Sequence, residues 1–549
     1  MKVSELLVRS LETFGVQRAY GLVGTSILEL MDALYGSNIR YVSTRHEQVA
    51  VSMADAEGRL TGRPGVAFVH GGAGFLNSLV SVTNAWKDGA PMLLVAGAVR
   101  RRMVGMDSWL EVPQTAMIQS VVKKAWRVEK GTQAAKAFAE AFSLAGSPPF
   151  GPVFVEVPED MWTQDAGREV AKLEFTPAKV ATDEEVGKVA DTLGRAKKPL
   201  VVAGGGMNTP GGAMALASLL SKTGVPVATS GNGRGTISEE SGLALGRIGF
   251  GGGNGVADGA LGKADVVLCL GCGLSDVSTY GFNLTPRGEV FVIDMDPLWD
   301  RKPIPCTMHL ACDAADFARR LGEATGEGKP REEWTGYIDK ERRSWGSMLE
   351  EGASRVKDGF VNPARFLRKL DGGLPRDTIL TVGQGLHVLY AYAFLRVRTA
   401  RSFLAATNMG AMGFVFPAAL GAKMTFPERE VVGVMGDGEF LMTVQDMETA
   451  VREKVGAKIV VVNDNSYRVL LMRQKIQKMG RVFGTTHSNP DMAKLAQDFG
   501  AEGMVVDSED KVDEAVEFVM RKSDVPLVVE LRVDPEDLPP LNIQGSLMF

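Results

Sequence analysis

No apolar run in this sequence approaches the roughly 18 residues that a membrane-spanning helix requires, so a helical membrane protein is excluded as a reading. Cysteine is scarce: Cys269, Cys272, Cys306 and Cys312 are all there is, with no histidine or acidic partners at zinc-finger spacing. A disulfide framework and a zinc module both fall away, and the four read as reduced core thiols. An excess of basic charge is missing too. With 61 Lys and Arg against 66 Asp and Glu the net charge is -5, and the pI is near 5.8, which gives no bulk reason to bind nucleic acid or an anionic membrane. The one compact basic run, Arg100 to Arg102, reads as a solvated turn. The first residues, MKVSELLVRSLETFGV, form an amphipathic pattern with Leu6, Leu7, Leu11 and Phe14 on one side, and their acidic residues argue against a signal peptide. A cytoplasmic location is the resulting expectation.

What the chain does have is length and glycine. Its 549 residues allow several cores at about 100 to 200 residues per domain, and its 64 glycines suit many tight turns between strands and helices. Short β-branched runs alternate with helical patterns, the mark of parallel sheets covered by helices. Three doubly wound α/β domains are predicted, over 1–165, 184–325 and 360–535. The first carries strands in RAYGLV, RYVSTR, GVAFVHG, PMLLVAGA and PVFVEVP, with helices from near Ser26, Glu47 and Gly74. The second carries PLVVAGGG, VPVATS, ADVVLCLG and GEVFVIDMD, and the third TILTVG, REVVGVMG, AKIVVVN and PLVVELRV. The charged stretch GEGKPREEWTGYIDKERRSW reads as a linker and a surface helix.

Ligands of open parallel sheets gather at the carboxyl ends of the strands. There the most informative segment is VVGVMGDGEFLMTVQDMETAVREKVGAKIVVVNDNSY. A strand ends before Gly436-Asp437-Gly438, and a helix with Phe440, Val444, Met447 and Val451 on its buried face leads to the next strand. Asp437 and Asp464, 27 residues apart, each fall just past the end of a strand. Two carboxylates so placed suit a hard cation, while the glycines let backbone N–H groups approach phosphate oxygens. Alone, Gly-Asp-Gly is a common turn, and both aspartates could simply cap loops. Paired with Asn463-Asp464-Asn465-Ser466 at this spacing, the segment resembles the cofactor motif of thiamine-diphosphate enzymes.

That resemblance implies magnesium held by Asp437, the Asp464 side chain and the Ser466 carbonyl. Asp464 stands where most members have asparagine, as in the catabolic acetolactate synthases, and Glu439 replaces the usual small residue after the glycine. The Glu439 carboxylate must therefore turn away from the diphosphate or weaken its binding. Gly436, Gly438, Phe440 and Tyr467 fall in the same motif, and Gly383 and Gln384, ending TILTVG, match diphosphate contacts. In Asn408-Met-Gly-Ala-Met-Gly-Phe, the match gives the Gly410 carbonyl to the cofactor amino group and wedges Met412 between its rings. Thiamine chemistry needs a carboxylic acid on the pyrimidine nitrogen, and Glu47, opening an alanine-rich helix after a strand, matches that residue. Burial against an apolar ring would tune such a group upward. Without the other motif, Glu47 would read as a first-turn glutamate at the helix dipole.

The resemblance spans nearly the whole chain and names the domains pyrimidine, central and diphosphate. It implies a homodimer or homotetramer with active sites at the subunit interface. Gly24, His70, Trp109, Leu110 and Lys475 fall in the expected substrate pocket. The acetolactate synthase Phe-Gln-Glu segment is matched by Trp109-Leu110-Glu111, and Lys475 lies near the position of the biosynthetic enzymes' selecting tryptophan. Both departures point to an acetolactate-synthase-like 2-oxo acid decarboxylase or carboligase with an apolar pocket and weak acetolactate formation from pyruvate. Glu111-Val-Pro-Gln and Gly74-Phe-Leu-Asn also resemble 2-hydroxyacyl-CoA lyases and oxalyl-CoA decarboxylases, so an acyl-CoA substrate is the alternative. Gly273 and Val277 stand where flavin-binding members carry arginines, which argues against FAD and leaves ADP or CoA open in the central domain. A non-catalytic paralogue is the remaining reading, opposed by the intact motifs.

Overall fold

The computed structural model describes residues 1–250, 254–296 and 299–539. Its strands form three six-stranded sheets, parallel throughout. The first holds β1 (Arg18–Gly21), β2 (Arg40–Ser43), β3 (Gly65–Val69), β4 (Met92–Ala98), β5 (Ala125–Arg127) and β6 (Pro152–Pro158), ordered β2-β1-β3-β4-β6-β5. The second holds β7 (Pro199–Ala203), β8 (Val227–Thr229), β9 (Ala244–Arg247), β10 (Val266–Leu270), β11 (Glu289–Ile293) and β12 (Met308–Leu310), ordered β12-β11-β10-β7-β8-β9. The third holds β13 (Ile379–Val382), β14 (Phe403–Ala405), β15 (Val431–Gly436), β16 (Lys458–Asn463), β17 (Glu502–Val506) and β18 (Leu527–Arg532), ordered β14-β13-β15-β16-β18-β17. Central strands such as β4 and β15 are buried at every residue, because helices cover both faces of a parallel sheet and leave no wet side to be polar.

Packing groups the residues into two compact units. One comprises Met1–Pro177, Asn408–Glu428 and Thr443–Gly456; the other comprises Ala178–Thr407, Arg429–Met442 and the residues from Ala457 on. In the first unit the helix Val3–Thr13 buries Leu6, Leu7 and Leu11, with Phe14 just beyond it. The helix Glu47–Thr61 packs against Val415–Thr425 at Gly421, where a Cβ would come within 2.7 Å of the Met53 carbonyl oxygen, so only glycine permits the approach. In the second unit the surface helix Glu332–Ser354 buries Trp334 and Ile338, and the Trp334 indole N–H donates to the Pro199 carbonyl at 3.0 Å.

Two expectations are corrected. The single helix predicted after the glycine turn is broken: Asp437–Thr443 and Met447–Arg452 are α-helical, with a 3₁₀ turn over Val444–Asp446. The buried Asp446 carboxylate explains the break, since it accepts the Arg45 backbone N–H at 2.8 Å and the Thr449 hydroxyl at 2.8 Å, drawing its turn out of register. Phe440 and Met447 are buried as the pattern requires, whereas Val444 and Val451 are only partly so. Of the four thiols, Cys306 is exposed rather than in the core because it precedes an edge strand.

Candidate active site

In the first unit β2 hands over to the helix that Glu47 opens. His46 caps it, its ring accepting the Gln48 N–H at 3.2 Å. Glu47 is buried, and its Oε2 accepts from the Asn77 amide at 3.0 Å. A Cβ on Gly74 would sit 2.8 Å from Glu47 Oε1 and 3.2 Å from His70 Cβ, so Gly74 keeps the carboxylate and the imidazole close. The Tyr41 hydroxyl is buried without a hydrogen-bond partner, and burial together with the Glu47 charge holds its acidity far down. Burial also lowers the His70 pKa, opposed by Glu47 and Glu159; its Nδ1 lies 2.7 Å from Ser26 Oγ. Gly24 lies against that ring, since a Cβ there would be 2.3 Å from His70 Cγ. Leu110 adopts a positive φ of 69°, with its carbonyl 2.6 Å from where a Gly72 Cβ would stand. Buried Gln114 locks this turn by accepting the Gly72 N–H and donating to the Gly97 carbonyl, each at 3.0 Å. Gly24, Glu47, His70 and Leu110 thus gather around one glycine-rich turn. Trp109 is 76% exposed. Gly410 has a φ of 68° and open space beside it, and the Met412 carbonyl faces the Gln48 side chain at 3.4 Å.

In the second unit Gly436 ends β15 and Asn463 ends β16, which brings Asp437 and Asp464 to the same sheet edge. Asp437 Oδ1 accepts the Gly438 N–H at 2.8 Å, and its Oδ2 takes the Asn489 amide at 2.6 Å and lies 3.4 Å from His487 Nε2. Asp464 accepts from the Ser466 hydroxyl at 2.6 Å and from Arg468 at 3.2 Å. Burial, and then the charge of Asp464, raise the Asp437 pKa. A buried carboxylate whose ionisation a neighbouring one opposes forms, with it, a site a divalent cation would relieve. Among the described residues no group of three or more His, Cys, Asp or Glu side chains gathers for a metal, so a cation here would complete its shell with carbonyl or phosphate oxygens. Tyr467 is 37% exposed beside His487, and Lys475 pairs with Glu536 at 2.8 Å on the surface.

Next to the carboxylates lies a cradle of Gly383, Gln384, Gly385 and Gly436 around His387. A Cβ on Gly436 would come within 3.0 Å of the His387 ring, and one on Gly383 within 3.1 Å of His387 Nε2. That nitrogen is buried and unpartnered. An orphaned donor beside glycines, with two carboxylates needing a cation, fits a bound diphosphate and metal. Glu439 is buried and accepts the Gln384 N–H at 3.1 Å, because the glycine at 383 leaves room for its carboxylate. Phe440 is wholly buried. His387, Arg468, His487 and Asn489 are absent from the sequence-derived site; only Arg468, four residues after Asp464 on a helical pattern, left a readable signal.

Burial pushes the His387 pKa from 6.5 to about 3. Its folded value lies below its unfolded one, so the stability it lends is complete above about pH 6.5 and is lost as pH falls toward 3. Urea unfolding without cofactor should show a loss of about 2 kcal/mol between pH 6.5 and about pH 5, which His387→Gln removes.

Such a fold, with a carboxylate turn on one sheet and an acidic, glycine-lined corner on another, defines a cofactor-dependent α/β enzyme. Comparison with known families agrees. Residues 1–124 match the thiamine pyrophosphate enzyme N-terminal TPP binding domain, 186–321 the central domain, and 383–531 the C-terminal TPP binding domain. The probable acetolactate synthase large subunit of Methanocaldococcus jannaschii is 28% identical over 567 residues, covering 100% of this chain and 94% of that protein. The acetolactate synthase isozyme 3 large subunit of Escherichia coli K12 is 29% identical over 574 residues, covering 99% and 97%. The IlvB1 large subunit of Mycobacterium tuberculosis is 29% identical over 546 residues, covering 96% and 88%. The chain belongs to the thiamine pyrophosphate enzymes, and within them it is an acetolactate synthase-like enzyme acting on carbon–carbon bonds.

Proposed function

We propose that the protein is a magnesium-dependent 2-oxo acid decarboxylase and carboligase that uses thiamine diphosphate. The observation that carries this reading is the Asp437–Asp464 pair, one buried and one partly buried carboxylate at one sheet edge beside the orphaned His387 nitrogen. When bound, thiamine diphosphate supplies the nucleophilic carbon and the electron sink for cleaving a bond next to a carbonyl. Glu47 would hold a proton against the pyrimidine nitrogen, with Asn77 fixing its other oxygen. Asp437, Asp464 and the Ser466 carbonyl would hold magnesium, and Arg468 would offset the charge that Asp464 adds. Backbone N–H groups at Gly383, Gln384, Gly436 and Gly438 would meet the phosphates, Gly410 and Met412 would position the rings, and Gly24, His70 and Leu110 would line the substrate side. By analogy with the family, two copies would pair so that each supplies half of a site. The acetolactate synthase relatives do not favour an acyl-CoA substrate.

Glu439 occupies the Gln384 N–H that a phosphate oxygen would take. Replacing it by glycine should tighten thiamine diphosphate binding by about tenfold in calorimetry, since a charge-assisted hydrogen bond no longer has to be displaced. The function is tested by incubating the protein with thiamine diphosphate, magnesium and a panel of 2-oxo acids while carbon dioxide, aldehydes and acetolactate are measured. Carbon dioxide release outpacing acetolactate formation from pyruvate is expected. No turnover of any 2-oxo acid by protein shown to hold the cofactor would overturn the reading.

A further inference from the structure

The carboxyl edge of the second sheet carries a cluster of buried polar atoms without partners. Arg247 ends β9 and Thr229 ends β8, and the two are register partners, so their side chains leave the same face. Arg247 is 5% exposed and Thr229 2%, yet Arg247 Nε and Nη1 and the Thr229 hydroxyl have no hydrogen-bond partner. Arg234, 1% exposed, adds an open Nη1. Both arginines stack on Tyr392, Arg247 at 4.3 Å and Arg234 at 5.2 Å from its ring centre. Stacking occupies a guanidinium face and leaves the N–H groups on its edge unanswered.

The two arginines differ in what answers their N–H groups. Arg234 is neutralised by Glu239, which receives two of its N–H groups at 2.7 Å. The nearest acid to act on Arg247, Asp258, is already held by the Gly249 N–H at 2.9 Å and the Tyr280 hydroxyl at 2.8 Å. Burial without a hydrogen-bonded carboxylate lowers the Arg247 pKa, yet a guanidinium remains charged in any protein setting. A buried guanidinium whose N–H groups reach no acceptor is costly, and an acceptor there would relieve it. Gly231, in the turn after β8, leaves space at the guanidinium: a Cβ there would lie 3.3 Å from both Arg247 Nε and Nη2.

We infer that this edge binds an oxyanion, a carboxylate or phosphate group of a small molecule, through the Arg247 fork and the Thr229 hydroxyl. A planar guanidinium edge with an adjacent hydroxyl matches two or three oxygens of such a group. The site uses none of the residues assigned above to thiamine diphosphate, so it is tested without that cofactor or magnesium. The full chain is titrated with inorganic phosphate, pyruvate and ADP, followed by calorimetry and thermal unfolding. Binding of at least one is expected, weakened at least about tenfold by Arg247→Met and severalfold by Thr229→Val, while magnesium-dependent thiamine diphosphate binding stays within about twofold. Pyruvate alone would mark a substrate carboxylate, ADP alone a nucleotide, and phosphate as well as both a bare anion pocket. Thr229→Val, nearly isosteric, keeps the test decisive should Arg247→Met fold poorly. No binding of any of the three by the wild type, or unchanged affinity in Thr229→Val or in a folded Arg247→Met, would overturn the inference.

Discussion

Glu47→Gln is expected to lower kcat/KM for the best 2-oxo acid by roughly 10² to 10⁴, the span that a positioned general acid contributes, while thiamine diphosphate affinity changes only a few fold. The amide keeps the shape and the Asn77 contact but cannot place a proton where the carboxylic acid would. Gly74→Ala is the companion, because its methyl group would stand 2.8 Å from Glu47 Oε1 and must displace the carboxylate without removing it. A severe loss in the first variant and an intermediate one in the second would locate the effect in proton placement. Wild-type turnover in Glu47→Gln would remove Glu47 from the chemistry.

The second large effect belongs to Asp437. Losing one carboxylate of such a metal pair should cost about 3 to 5 kcal/mol of magnesium-linked binding, or roughly two to four orders of magnitude in thiamine diphosphate affinity. The cofactor-free protein should respond the other way. Asp464 opposes ionisation of Asp437 when no cation stands between them, so Asp437→Asn is expected to melt no lower than wild type without ligand, and higher if repulsion dominates. Calorimetry and thermal unfolding of the same variant separate the two. A variant that binds the cofactor normally, or that is destabilised in both states, would assign Asp437 to loop structure alone.

The interior of the fold was legible because its strands are buried on both faces and read as continuous apolar runs: PMLLVAGA, VVGVMG and KIVVVN sit where the pattern puts them. The five unforeseen strands, β5, β9, β12, β14 and β17, all lie at sheet edges. They are three to five residues long, mostly only partly buried and without a sustained run, so register with a neighbour rather than local pattern creates them. The site divides in the same way. Glu47, Asp437 and Asp464 are marked by position at a strand-to-helix junction, which is local. His387, His487, Asn489 and Arg247 acquire meaning only from what the topology brings against them: a glycine from another strand end, a carboxylate 52 residues before Asn489 in the chain, a hydroxyl on the neighbouring strand.

Glu439 has a consequence for how such a protein would behave in a cell. While it sits on the Gln384 N–H, the corner already contains a carboxylate, and diphosphate binding would be an exchange of one negative group for another, with a cation admitted alongside. Loading would then rise steeply only when vitamin and magnesium are plentiful together, and scarcity of either would leave a folded reserve waiting to be switched on.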